Sequence, residues 1–460
     1  MSRILCGRST NNGKPVYYGA EFQEGHGLSL GGTGSGKDRR LILPNLLLIK
    51  GPKIVFDPGA EALGVCGNYL LRQGYQVDVF NPKGVLINEL NRQGQLKFPH
   101  LSHFKSRGYD PCQSLNVNSP SFTTDIEQII ESVFPLDPKE MHFSQRNRQL
   151  GSCTLMRECW YADEQARAPR VENWMDMLAL PHTRPPGMPG NTLQMLAVNM
   201  EAHHYLPMAR LAGTFIPVTK EIDSVLAGTV STVKPLMMDT QLHADLKLGA
   251  VNGAINWEDY KYDERRILFV VLPGGAFYTH AVWLRMLLGE ALGAMEKTGP
   301  GKFRPVFVLN EIGNISRLDA LARAITMIRK HGVRLWLFLQ DLNQASIIYG
   351  DAGMHSILSN MGWISTFASS DKKTWDYFGQ AAGRYTAEVD TIQTGSETDS
   401  RSRHAAGFNL LNPDDIRGIG IGKTGNLFQG IGMHQYTELD TPRYDEICKG
   451  YDVNPYTVPA

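Results

Sequence analysis

The sequence predicts an α/β fold, a mainly parallel central sheet with helices on its faces and an inserted all-α segment. Three observations lead there. A glycine-rich loop joins an apolar strand to an apolar helix across residues 28–47, LSLGGTGSGKDRRLILPNLL. Short apolar runs then alternate with helical patterns, the rhythm of parallel strands joined by crossover helices. Between about 120 and 240 the helical periodicity continues with no convincing strand.

Taken in order, residues 1–27 read as a short basic arm and a strand pair, with Pro15-Val16-Tyr17-Tyr18 leading to the loop strand. Residues 53–56 form an apolar run closed by Asp57-Pro58-Gly59, a buried strand of the parallel kind. A helix over about 60–73 and a strand at 75–80 follow. From 82 to 119 the chain is polar and dotted with proline. Helices are expected at 124–134, 145–161, 192–211 and 220–238, and PHTRPPGMPG at 181–190 is a loop by composition. The sheet resumes at 267–272, 305–309, 333–339 and 363–368, with helices at 280–295 and 317–330 between. Residues 386–407, rich in Thr, Ser and Gly, read as a flexible loop, and LLNPDDIRGIGIG onward as a closing strand and turn.

The loop carries the first chemical signal. Gly31, Gly36 and Lys37 fit the first seven positions of the phosphate-binding pattern G-x-x-x-x-G-K-[ST]. Its members Gly31, Gly32, Thr33, Gly34, Ser35, Gly36, Lys37 and Asp38 are the expected nucleotide-binding set. Glycines let successive N–H groups point inward, and the following helix adds its positive end. Lys37 then reaches the β- and γ-phosphates. The eighth position departs from the pattern: Asp38 replaces the hydroxyl that would bind Mg²⁺.

A second motif, PVFVLNEIGNI at 305–315, is an apolar strand ending in Asn310 and Glu311. Such a strand end ordinarily supplies an Asp for the magnesium shell and a Glu that polarises water. Here the Glu is present and the Asp is Asn310. Both metal positions therefore deviate together, and two readings compete. Either the charge has moved from one side of Mg²⁺ to the other, or the site has decayed. Gln340 ends the next strand, where it contacts the γ-phosphate and its water or simply caps the chain. Arg329 lies in the helix between these strands, a candidate arginine finger for a neighbouring subunit.

Other features read as structure. Asp57 at its strand end suits a helix cap. His203-His204 has no carboxylate at metal spacing, and Leu193, Leu196 and Met200 recur as an ordinary core stripe. Arg146, Arg148 and Arg157 give the insertion enough charge for a weak phosphate contact and no more.

Composition narrows the classes further. At 460 residues the chain exceeds one ordinary core. Lys plus Arg equals Asp plus Glu at 46 each, so no overall field attracts nucleic acid and any such site must be local. The six cysteines show no C-x-x-C and no zinc-like pairing with His, which suits a reduced compartment. The N-terminus carries no signal peptide, and apolar runs such as ILFVVLPGGAFY stop well short of a membrane span.

In its ordered blocks the chain resembles the coupling ATPases of bacterial type IV secretion and conjugation, the TraG/TrwB-like proteins. The blocks are GGTGSGKDRRLILPNLL, KIVFDPGAEAL with GYQVDVFNP, GYDPCQSLN, FVLNEIGNISRLDALARAITMIRKHGVRLWLFLQDLNQASIIYG with ILSNMGWISTFA, and LLNPDDIRGI. They span about residues 5–440. The resemblance implies a RecA-like domain from 1–120 and 240–460, and an all-α domain at 120–240 for substrate or adaptor recognition. It implies ATP and Mg²⁺ as ligands, Lys37 on the phosphates, Glu311 as catalytic base, Gln340 as sensor and Arg329 as a finger offered in trans, while Asp38 and Asn310 are the metal candidates by their positions in the two motifs. Three departures stand out. The family's D-P-K-G reads Asp57-Pro58-Gly59-Ala60, its L-D-E reads Leu309-Asn310-Glu311, and Asp38 follows the loop lysine.

The expected function is an ATP-dependent coupling protein that recruits a relaxase–single-stranded-DNA complex or a protein effector and delivers it to a type IV secretion channel. Its partners would be the inner-membrane components of that system, adaptor proteins and further copies of itself, a homo-hexamer when assembled or a monomer in isolation. The alternatives are a catalytically degenerate substrate receptor and a DNA translocase of the FtsK kind. Family members sit on the cytoplasmic face of the inner membrane, mostly with transmembrane helices ahead of the loop. Here 30 residues precede Gly31. The span is either removed or naturally absent, and this chain itself is expected to be soluble and cytoplasmic.

Overall fold

The computed structural model describes residues 3–19, 25–137, 139–179, 192–217, 219–394, 399–418, 425–430 and 437–457. Its strands in chain order are β1 (Ile4–Ser9), β2 (Pro15–Tyr18), β3 (His26–Leu30), β4 (Lys53–Pro58), β5 (Gln76–Phe80), β6 (Arg266–Leu272), β7 (Val306–Leu309), β8 (Arg334–Leu339), β9 (Met361–Thr366), β10 (Arg384–Thr394), β11 (Asp399–Asn409), β12 (Gly425–Gly430) and β13 (Thr437–Asp440). The described residues of Met1–Lys50, Val308–Gly313 and Arg334–Tyr451 form one compact unit. Those of Gly51–Phe307, Asn314–Val333 and Asp452–Ala460 form another.

The first unit holds the strand order β2-β1-β13-β12-β9-β3-β8. β3 pairs parallel with both β8 and β9, and the remaining strands continue antiparallel beyond β9. Every residue of β3, β8 and β9 is buried, as in parallel strands covered on both faces. Two tryptophans lock the central strand. A Cβ on Gly27 would lie 2.5 Å from the indole nitrogen of Trp363, so only glycine fits there. Trp336 packs 5.5 Å from Trp363 and donates to Ser29 Oγ at 3.0 Å, and Ser29 in turn meets Ser365 at 2.9 Å. The strand that delivers the glycine loop is thereby fixed in position and register.

Two segments of this unit differ from the sequence reading. Of residues 386–407, the described ones are paired strands: β10 and β11 lie antiparallel in register from Arg384↔Asn409 to Thr394↔Asp399. Thr and Ser are turn formers in isolation, but threonine also suits a strand when a partner is alongside. The segment after Leu411 opens as a helix, Pro413–Gly418, with Pro413 at its first position and Asp415 accepting from Asn412 N at 2.8 Å. Helices Leu342–Ser359 and Lys372–Ala382, absent from the sequence reading, start at aspartate caps Asp341 and Asp371.

The second unit contains the parallel order β4-β6-β5. Asp57 at the end of β4 accepts from Ala62 N and Leu63 N at 3.0 and 2.8 Å, capping helix Glu61–Arg72. Between Phe80 and Arg266 the described residues contain helices and turns and no strand. The helix expected over 192–211 is two, Thr192–Glu201 and Leu206–Gly213. His203 Nδ1 takes the N–H of Tyr205 at 3.1 Å and Pro207 opens the second helix, which breaks the first. The proline-rich stretch 181–190 lies outside the described residues. All six cysteines are free and buried. Among the described residues no helix is long and apolar enough to cross a membrane.

One buried acid in this unit makes stability pH-dependent. Burial lifts the Asp110 carboxyl from 3.8 to about 7, against the pull of the Cys112 and Val171 amides. The fold therefore holds this proton where an unfolded aspartate has released it. The resulting stability is complete below about pH 4 and is lost as pH rises toward 7. Thermal unfolding should show the midpoint falling over that range, with a shallower fall in Asp110→Asn. An unchanged slope in the variant would contradict it.

Candidate nucleotide site

Gly31 N–H donates to Leu339 O at 3.0 Å, so the loop starts tied to the end of β8. Gly34 and Gly36 have φ of +77° and +86°, a region open to glycine at little cost. A Cβ on Gly32 or Gly34 would meet nothing within 4 Å, which leaves the middle of the loop open for a ligand. Lys37 leads directly into the helix, whose first turn, Asp38–Ile42, is wound in the π manner before continuing as Leu43–Leu48. Asn45 anchors that helix by exchanging bonds with the Leu5 backbone at 2.7 and 2.9 Å.

At the end of β7 the two deviating positions meet. Asn310 Nδ2 donates to Asp38 Oδ1 at 2.7 Å, although 272 positions separate them in the chain. Asn310 is buried, and its Oδ1 has no hydrogen-bond partner. Beside this pair Lys37 Nζ lies 3.7 Å from Glu311 Oε1, with the lysine side chain 8% and the glutamate 31% exposed. Glu311 has φ of +53°, a left-handed conformation unusual for a residue with a Cβ. A carboxylate and a buried amide oxygen without a donor are the donor set a hard cation such as Mg²⁺ takes. These residues fit the metal.

Gln340 follows β8 with an exposed side chain. Its N–H donates to Gln344 Oε1 at 3.1 Å. The Gln344 amide also fills the space beside Gly313, where a Cβ would sit 2.3 Å from its Cδ. Gln344 thus links the turn after β8 to the turn bearing Glu311. Sequence reasoning missed it because its contact is with a glycine in a distant segment, although the space above Gly313 admits no other reading once folded.

The remaining candidates belong to the second unit. Arg329 is exposed, in the turn Ile328–His331 of the second unit. Arg148 pairs with Asp319 at 3.0 Å, and Arg146 bonds Thr214 and lies over the Phe215 ring, so neither is open for phosphate. His203 lies tilted against Trp160 and His204 meets it edge-on, and no group of three or more His, Cys, Asp and Glu that could hold a metal occurs among the described residues.

Residues 3–423 match the family model described as type IV secretory system conjugative DNA transfer. The chain is 23% identical over 425 residues to Protein VirD4 of Rhizobium radiobacter, covering 88% of this chain and 55% of that protein. It is 23% identical over 391 residues to the type IV secretion system-coupling protein VirD4 of Bartonella quintana (strain Toulouse), covering 81% and 55%. The chain thus spans about half the length of these curated relatives. Among solved structures it is similar to the plasmid coupling protein TrwB in complex with ADP and Mg²⁺, with a TM-score of 0.65, 15% identity, and coverage of 98% and 96%. That likeness shows a shared α/β fold.

Proposed function

Because this chain belongs to the type IV secretory system conjugative DNA transfer family, we propose that it is an ATP-driven coupling protein that hands a transfer substrate to a type IV secretion channel. The contact between Asp38 and Asn310 is the observation that carries the ATP-driven part. A decaying site would have no reason to keep its two altered positions bonded to each other, beside a lysine and a glutamate.

In this reading the loop amides of Gly31 to Gly36 and the Lys37 ammonium bind the ATP phosphates. Lys37 exchanges Glu311 for the γ-phosphate, which frees the carboxylate to take a proton from the attacking water. Asp38 and Asn310 would hold Mg²⁺, which would supply positive charge against the phosphates. Gln340 senses the γ-phosphate, and Arg329 is offered to the site of a neighbouring copy in a homo-hexamer. Segments 1–120 and 240–460 form the motor domain, and 120–240 the domain that recognises a relaxase–single-stranded-DNA complex, an effector or an adaptor. The protein works at the cytoplasmic face of the inner membrane with the channel's components. TrwB, a protein of similar fold, is known with ADP and Mg²⁺.

Calorimetric titration of ATP with and without Mg²⁺ tests the reading, with tighter binding in Mg²⁺ as the expected result. No binding in either condition would leave a substrate receptor in place of a motor. Gln344 supplies a finer test. Gln344→Ala removes the link between Gln340 and the Gly313 turn. The expected outcome is a kcat lower by about tenfold, near 1.4 kcal/mol, with ATP affinity changed little. An equal loss in both would mean that the residue only supports the fold.

A further inference from the structure

A cavity of about 480 Å³ opens between helices of the second unit, within the range of small-ligand sites. Arg157 and Tyr161 from helix Met141–Glu164 line it, with Asp176 and Met177 from helix Val171–Leu178 and Leu196 from helix Thr192–Glu201. Its two guanidinium groups differ. Arg167 is engaged with the buried Glu158 through bonds of 2.6 and 3.1 Å. Glu158 is further satisfied by Arg170 N at 3.0 Å and Asn173 at 3.2 Å. Arg157 only lies over the Tyr161 ring at 5.2 Å, and its Nη1 is buried with no acceptor. A guanidinium stays charged at any working pH, so the unmet donor calls for an anion.

We propose that this cavity binds a peptide segment of the transfer substrate, with an acidic side chain on Arg157 and an apolar neighbour against Met177 and Leu196. This rests on the reading of 120–240 as the recognition domain. Asp176 on the rim is exposed, and it argues against a nucleic-acid backbone, whose successive phosphates it would repel. It suits instead a basic side chain next to the acidic one. Tyr161 carries a guanidinium of Arg157 at 5.2 Å and of Arg167 at 5.7 Å, so its faces are already engaged by cations and offer poor stacking for a base.

The test uses the full chain and a fluorescein-labelled decapeptide of alternating Lys, Leu and Glu, read by polarisation. Its Glu-to-Gln counterpart and a ten-nucleotide oligothymidine serve as competitors. The expected result is saturable binding that weakens at least tenfold in Arg157→Gln and in the all-Gln peptide, and that oligothymidine does not displace. Equal affinity in Arg157→Gln, or displacement by oligothymidine, would overturn the proposal. Met177→Glu, which places a negative charge in the wall, serves if Arg157→Gln unfolds, and undiminished binding there overturns it as well. ATP titration of the same samples separates the two claims. Peptide binding absent with ATP binding intact refutes this cavity alone.

Discussion

Replacing Lys37 by Ala should weaken ATP binding by roughly a hundredfold or more, about 2.7 kcal/mol, and leave the chain folded. A bond from a charged donor contributes about 1.5–3 kcal/mol, and a phosphate offers this ammonium more than one acceptor. Only 8% of the lysine side chain is exposed, so water does not already solvate what the phosphate would. The residue it leaves behind, Glu311, is 31% exposed and becomes hydrated, so the loss of a pair at 3.7 Å should change stability by less than about 1 kcal/mol. Glu311→Gln should behave oppositely. It removes the charge that Lys37 faces in the nucleotide-free chain, so ATP binds at least as well, while hydrolysis falls by about 10² to 10⁴. Calorimetry and steady-state phosphate release on both variants check this. Equal, background-level release in wild type and Glu311→Gln would remove the motor and favour the receptor.

These residues were legible because their chemistry is local. Left-handed glycines at 34 and 36, a lysine at the helix start and apolar flanks are all written within one short stretch. Asp57 was legible for the same reason, since a strand-end aspartate caps the helix that follows it. What the chain order hides is juxtaposition. Asp38 and Asn310 each stood out as deviations, yet that they deviate onto each other follows only from the fold, which brings the turn after β7 to the loop that follows β3. Gln344 carries no signal in the sequence, and its place is read only from the space over Gly313 that it fills. The strand pair β10–β11 shows the converse, a composition that suits a loop until each strand has the other to bond. Arg329 remains a candidate by resemblance, because a finger in trans is defined by a neighbour and not by its own surroundings.

Exchanging the two altered positions should then separate compensation from decay. Asp38→Thr alone restores the usual loop hydroxyl but leaves the two metal positions with no carboxylate, and Mg²⁺-dependent ATP affinity should fall at least about tenfold, 1.4 kcal/mol. Asn310→Asp alone sets a carboxylate against Asp38 Oδ1, which now accepts from an amide at 2.7 Å. Two carboxylates that close raise one pKa and destabilise the metal-free chain, so this variant should unfold at lower temperature and regain its loss when Mg²⁺ is added. The double variant Asp38→Thr with Asn310→Asp carries one hydroxyl and one carboxylate, the ordinary arrangement inverted from this chain's own. If the charge has only changed sides, the double variant recovers Mg²⁺-dependent binding to within about threefold of wild type. The coupling between the two substitutions then exceeds 1 kcal/mol, as expected for residues in contact. Additive losses, or no Mg²⁺ dependence in any of the four proteins, would mean that the two substitutions arose independently in a site that no longer holds a metal. The single variants also discriminate by themselves, because a decayed site should be indifferent to Asp38→Thr whereas a working one loses Mg²⁺-dependent affinity with that carboxylate.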